Sequence, residues 1–80
     1  MSEEIIKRAL KHAEKMARKT RVVICVYEKC ISIPEDAFGM HVTDSAVFFY
    51  KRREDGVIMT FEYNINAVKN VIIYKESDKK

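Results

Sequence analysis

The sequence predicts an α+β, mainly β, fold: a small, strongly bent antiparallel sheet of about five strands with an N-terminal helix packed across one open end. Three observations lead there. Residues 46–63 hold two runs rich in β-branched and aromatic residues on either side of Glu54-Asp55-Gly56, the composition of a hairpin and its turn. Residues 21–27 are almost wholly apolar, through Val22, Val23, Ile24, Cys25 and Val26, which marks a strand buried on both faces. Residues 3–19 repeat apolar side chains at helical spacing.

The helix is expected over residues 3–19. Ser2 is a good N-cap, Glu3 and Glu4 sit where the helix dipole favours carboxylates, and basic residues gather toward the far end. Ile6, Ala9, Leu10, Ala13, Met16 and Ala17 form a narrow stripe of mostly small residues, suited to close packing on a sheet. Lys7, Lys11 and Arg18 flank it on one side, and Arg8, Lys15 and Lys19 on the other.

After the strand at 21–27, Glu28-Lys29 can turn the chain into a short strand through Ile31, Ser32 and Ile33. Residues 34–39 read as a loop, because Pro34 cannot donate to a ladder and Pro-Glu-Asp is turn chemistry; Phe38 is expected to tuck back as an anchor. Residues 40–43 make another short strand or the second half of a bent one, and Asp44-Ser45 turns it into the hairpin. A three-residue loop with a bulge at Gly56 would place Phe49 opposite Phe61 and Val47 opposite Tyr63, with Phe48, Tyr50 and Arg52 opposite Glu62, Thr60 and Ile58. A two-residue turn would instead pair Phe48 with Tyr63 and Tyr50 with Phe61, exchanging the faces. Ile65 and Val68 are spaced as in one helical turn, and residues 71–74 form a last strand before a charged, frayed tail at 75–80.

Eighty residues make one domain, near the size at which a partner chain often completes the core. The domain divides into the helix at 3–19, the sheet at 21–74 and the tail. No apolar run approaches a membrane span, and the charged amino terminus lacks the apolar block of a secretory signal, so a cytoplasmic protein is expected. Gln and Trp are absent, Leu occurs once, and Ile, Val, Lys and Glu abound, a composition that suggests a thermophile or an AT-rich genome. The formal charge of +3 is uneven: residues 1–21 hold seven Lys or Arg against three Glu, whereas residues 22–74 hold five against seven acidic groups. The basic character therefore belongs to the helix segment.

No catalytic set emerges. Cys25 and Cys30 lack metal-ligand spacing, and His12 and His41 lie far from both. With a turn at Glu28-Lys29, Cys30 would face Tyr27, so the two thiols are expected to be reduced and buried. Asp44, Glu62 and Glu54-Asp55 have simpler roles in turns or on a solvent face, and no Ser, His and Asp converge. The chain is thus expected to have no enzymatic activity, no cofactor and no metal. Tyr50, Lys51, Arg52 and Arg53 form a basic and aromatic patch of the kind that binds single strands, although a charged hairpin end also keeps a sheet edge soluble. Lys7, Lys11, Lys15 and Arg18 make a candidate phosphate-contacting helix face, which a solvated helix would equally display.

The order of one helix and about five strands resembles the Sm-like fold, with SH3-like connectivity. Residues 44–51, Asp-Ser-Ala-Val-Phe-Phe-Tyr-Lys, resemble the strand-three motif of the bacterial Hfq branch, an Asp followed by an apolar run ending in Lys. Tyr63 followed by Ala67-Val68-Lys69-Asn70-Val71-Ile72 is similar to the last segment of that family, and Gly39 lies near the place of its glycine in the bent second strand. The resemblance implies RNA binding and a ring in which the strand at 59–63 joins the last strand of a neighbour; a dimer is the other assembly open to so short a chain. The base-binding pocket does not carry over. Its stacking residue and hydrogen-bonding partner would fall on Ala46 and Val47, and Asn64, Ile65 and Asn66 stand where an Arg-Gly or Lys-His pair is expected. Asp44 and Asn66 remain as candidate base contacts. The expected function is a non-enzymatic, homo-oligomeric, RNA-associated module; the alternative is a small protein-interaction or regulatory module that binds no nucleic acid.

Overall fold

The computed structural model describes residues 3–75. The chain runs through α1 (Glu3–Met16), β1 (Val22–Val26), β2 (Lys29–Ile33), β3 (Gly39–Val42), β4 (Ala46–Arg52), β5 (Ile58–Asn64), a 3-10 turn (Ile65–Ala67) and β6 (Val68–Ile73). The fold is α+β and mainly β, as the sequence predicts. Its six strands, close to the five or so expected, form two three-stranded antiparallel sheets, β2-β1-β6 and β3-β4-β5, in place of one strongly bent sheet, and no barrel closes. Pro34 is the physical reason for the extra strand. With no N–H to donate it ends β2, and residues 34–38 carry the chain to the other sheet.

The central hairpin takes the bulged three-residue register, with Val47 opposite Tyr63, Phe49 opposite Phe61 and Tyr50 opposite Thr60. Gly56 sits at φ 90°, its N–H donating to the Arg53 carbonyl at 3.0 Å, while the Arg53 N–H donates to the Val57 carbonyl at 2.8 Å. A Cβ at Gly56 would meet no atom within 4 Å, so the cost of Gly56→Ala is purely conformational. A loss of about 1–2 kcal/mol is expected, read as a lower urea midpoint with an unchanged slope.

Alternation along β4 sends Val47 and Phe49 fully into the core and leaves Phe48 and Tyr50 half-buried on the outer face. β1 behaves likewise: Val22, Ile24 and Val26 are buried, while Val23 and Cys25 are half-buried rather than enclosed. The strand bounds also tighten at 22–26, and the last strand begins at Val68 instead of residue 71. Burial of Val68 directly after the 3-10 turn explains the earlier start.

The helix covers β6, β3 and the 3-10 turn with Leu10 and Ala13 fully buried and Ile6, Met16 and Ala17 packed around them. It ends at Met16, short of the expected residue 19. Lys19 and Thr20 both donate their N–H to the Met16 carbonyl, and the Thr20 hydroxyl donates to the Tyr74 carbonyl at 3.0 Å, drawing the chain onto the end of β6. Of the tail expected at 75–80, residues 76–80 lie outside the described residues.

Two further expectations are overturned. The β1–β2 hairpin turns at Tyr27-Glu28, one residue earlier than expected, with Tyr27 at φ 47°. Val26 therefore pairs with Lys29 and Cys25 lies directly opposite Cys30, and the two sulfurs are bonded at 2.07 Å. Cys25 is half-buried and Cys30 exposed, so these are neither reduced nor buried thiols. Phe38 is not a core anchor either; it is 50% exposed, its N–H donating to the Tyr50 carbonyl (2.8 Å) and its ring lying against Tyr50 and Arg52 on the outer face.

Candidate nucleic-acid interface

Three residues on the outer face of the β3-β4-β5 sheet make an aromatic and cationic ledge. Gly39 pairs with Tyr50, which brings the preceding Phe38 beside it. The Phe38 and Tyr50 rings stand 6.2 Å apart at 31°, and the Arg52 guanidinium lies over the Phe38 ring at 5.5 Å. Alternation along β4 puts Tyr50 and Arg52 on the same face, so the arrangement follows from the register. A cleft of about 330 Å³, lined by Phe38, Arg52, Lys51 and residues 34–37, opens at one end of it.

The rim of that cleft carries carboxylates already held by the protein. Asp36 accepts a hydrogen bond from the Ser32 N–H at 2.9 Å. Glu35 accepts from the Ser32 hydroxyl at 2.8 Å and lies 3.3 Å from the Arg21 Nε. The Ser32 hydroxyl first, then the Glu35 backbone N–H and the Arg21 charge, hold the Glu35 pKa below its ordinary value against an opposing desolvation, and Arg21 offsets the carboxylate's charge.

The structure divides the basic patch at residues 50–53. Tyr50 and Arg52 join the ledge, whereas Lys51 falls on the other face of the strand, near Met59 and Phe61 in a second cleft. Arg53 is tied to Asp55 at 3.1 Å inside the hairpin loop. On the helix, Lys11, Lys15 and Arg18 are exposed and Lys7 is half-buried. Lys15, Arg18 and Lys19 line a shallow basin with Glu14, whose carboxylate also meets His41 Nδ1 at 3.0 Å and ties α1 to β3.

Asp44 lies 4.0 Å from Lys11 Nζ, so this candidate base contact already faces a helix cation. Asn66 is exposed in the 3-10 turn, its N–H donating to Asn64 Oδ1. The Ile65 N–H donates to the Ser45 carbonyl at 3.0 Å, which brings the turns carrying Asp44 and Asn66 together. Ala46 and Val47 between them are buried and offer no stacking surface. Phe38 is the site residue that sequence reasoning misplaced; the signal for it was an aromatic just before a glycine-initiated strand, but its partner depends on the β3–β4 register.

Among the described residues no group of His, Cys, Asp and Glu could hold a metal ion, and no helix is long and apolar enough to cross a membrane. Comparison with protein-family models, curated proteins and solved structures finds no match to this chain.

Proposed function

We propose that the chain is a non-enzymatic RNA-associated module that acts as a homo-oligomer. The observation that carries this reading is the Phe38–Tyr50–Arg52 ledge. Aromatic rings and a guanidinium on one exposed face suit an unstacked base, which every nucleotide of a single strand can supply. The helix cations add the sequence-independent part: Lys7, Lys11, Lys15 and Arg18 attract phosphates and release their counterions. Glu35 stays ionised beside the cleft, and its ion pair with Arg21 at 3.3 Å offsets the repulsion that its carboxylate would exert on a phosphate.

Assembly follows from the sheet edges. β5 and β6 are both edge strands with exposed apolar groups, Ile58 and Phe61 on one, Ile72 on the other. An antiparallel pairing of β5 with a neighbour's β6 that sets Phe61 against Val71 also sets Met59 against Ile73, so apolar side chains meet on one face of the joined strands. Repeated head to tail, such a pairing gives a ring when the rotation between neighbours closes. Light scattering at micromolar concentration is expected to return a multiple of the 9.4 kDa chain mass; a single-chain mass removes the assembly.

The binding reading is tested by replacing Lys7, Lys11, Lys15 and Arg18 together with Gln and titrating labelled single-stranded RNA, single-stranded DNA and duplex at two salt concentrations. For single strands the slope of log affinity against log salt is expected to shrink by about 0.7 for each phosphate no longer neutralised, hence by up to roughly 3 for all four cations, with the oligomer unchanged. An unchanged slope takes the helix out of the interface. The setting that fits this reading is the cytoplasm of a thermophile, where intracellular disulfides persist.

A further inference from the structure

We propose that Cys25 and Cys30 form a thiol–disulfide exchange site, open to small thiols in the folded protein. Three features of its placement support this. The pair is on the outer face of the β2-β1-β6 sheet, since Ile24 and Val26 on one strand and Ile31 on the other point into the core. Its sulfurs join residues that the backbone already holds opposite each other, in a hairpin paired from Val22 with Ile33 to Val26 with Lys29. Cys30 is exposed on an edge strand, while Cys25 is half-buried on the central one. A disulfide on which a fold depends closes a long loop or lies out of reach; this one closes a single turn and presents one sulfur to solvent. Exposed disulfides of that kind are the labile ones.

The exchange runs in two steps. The thiolate of a small thiol attacks Cys30 Sγ, the bond to Cys25 breaks, and Cys25 leaves as a thiolate that takes a proton from water. A second small thiolate attacks the outer sulfur of the mixed disulfide, so that Cys30 leaves as a thiolate and a small-molecule disulfide departs. Two electrons have passed from two thiols to the protein. In reverse, oxidised glutathione reacts with the dithiol and reforms the Cys25–Cys30 bond. Ile24, Val26 and Ile31 are buried on the opposite face from the sulfurs, and the hairpin ends in Tyr27, which is 68% exposed. This site does not depend on RNA being bound.

The full chain is equilibrated, without denaturant, in mixtures of reduced and oxidised glutathione, then alkylated and weighed by mass spectrometry. Under reducing mixtures two alkyl groups per chain are expected, under oxidising ones none, reversibly and with the far-UV circular dichroism spectrum retained. With oxidised glutathione, Cys25→Ser should take one glutathione at Cys30 faster than Cys30→Ser takes one at Cys25. Absence of the disulfide at every glutathione ratio, or a disulfide that stays closed at every ratio, overturns the proposal. Equal rates for the two single variants overturn the assignment of Cys30 as the attacked sulfur.

Discussion

Replacing Phe49 by Ala is expected to destabilise the fold by about 3–5 kcal/mol, the largest loss available from a single side chain here. Phe49 is the largest fully buried side chain, sits on the central strand of its sheet between Met40 and Phe61, and meets the Tyr63 ring edge-on at 5.9 Å. Removing its ring leaves a cavity that strands held on both sides cannot collapse into. A domain this small has a net stability toward the low end of the usual range of roughly 5–15 kcal/mol, so the variant should be largely unfolded at room temperature. Urea unfolding followed by circular dichroism reads this directly. The neighbouring Phe48→Ala, half-buried on the other face, serves as the comparison and should cost clearly less. A Phe49→Ala loss below about 1 kcal/mol contradicts the core described.

Replacing Phe38 by Ala should do the opposite: leave the fold nearly intact and weaken RNA binding. Its ring is 50% exposed, so the substitution uncovers little buried surface, and its backbone bond to Tyr50 survives. A base stacked on an aromatic side chain contributes about 1–3 kcal/mol, which corresponds to a roughly 5- to 150-fold weaker dissociation constant for a single-stranded RNA oligonucleotide. Arg52→Ala should weaken binding too and in addition flatten the salt dependence, because it removes a cation as well as the cover over the ring. Phe38→Leu separates stacking from simple apolar contact: it keeps the bulk and loses the flat face. Unchanged affinity in both Phe38 variants removes the ledge from the proposed interface.

Much of the fold was legible in the sequence because local chemistry decides it. Glu54-Asp55-Gly56 narrows the hairpin to two registers, both with Gly56 at positive φ; Asp55 at negative φ, which a two-residue I′ turn does not allow, marks the bulged one. The stripe from Ile6 to Ala17 names the buried face of the helix before any partner is known. What stayed hidden depended on choices the local rules disfavour or do not reach. Tyr27 adopts φ 47°, a conformation that bulky residues seldom take, and that single angle moves the β1–β2 turn by one residue and sets Cys25 against Cys30. The split into two sheets turns on whether the chain bends through Pro34 or breaks there. The candidate site was legible in part for the same reason: Tyr50 and Arg52 share a face by alternation, whereas the place of Phe38 beside them comes from the pairing of Gly39 with Tyr50.

The central claim, that this fold carries single-stranded RNA, is tested most directly by fluorescence anisotropy of a labelled single-stranded oligonucleotide titrated with the unmodified protein at low and at moderate salt. The account predicts a saturable rise for single-stranded RNA that exceeds the rise for duplex of the same length, and a weaker affinity at the higher salt. No rise with any nucleic acid, even at the lower salt, contradicts it and leaves the chain as a module that presents its surface to another protein.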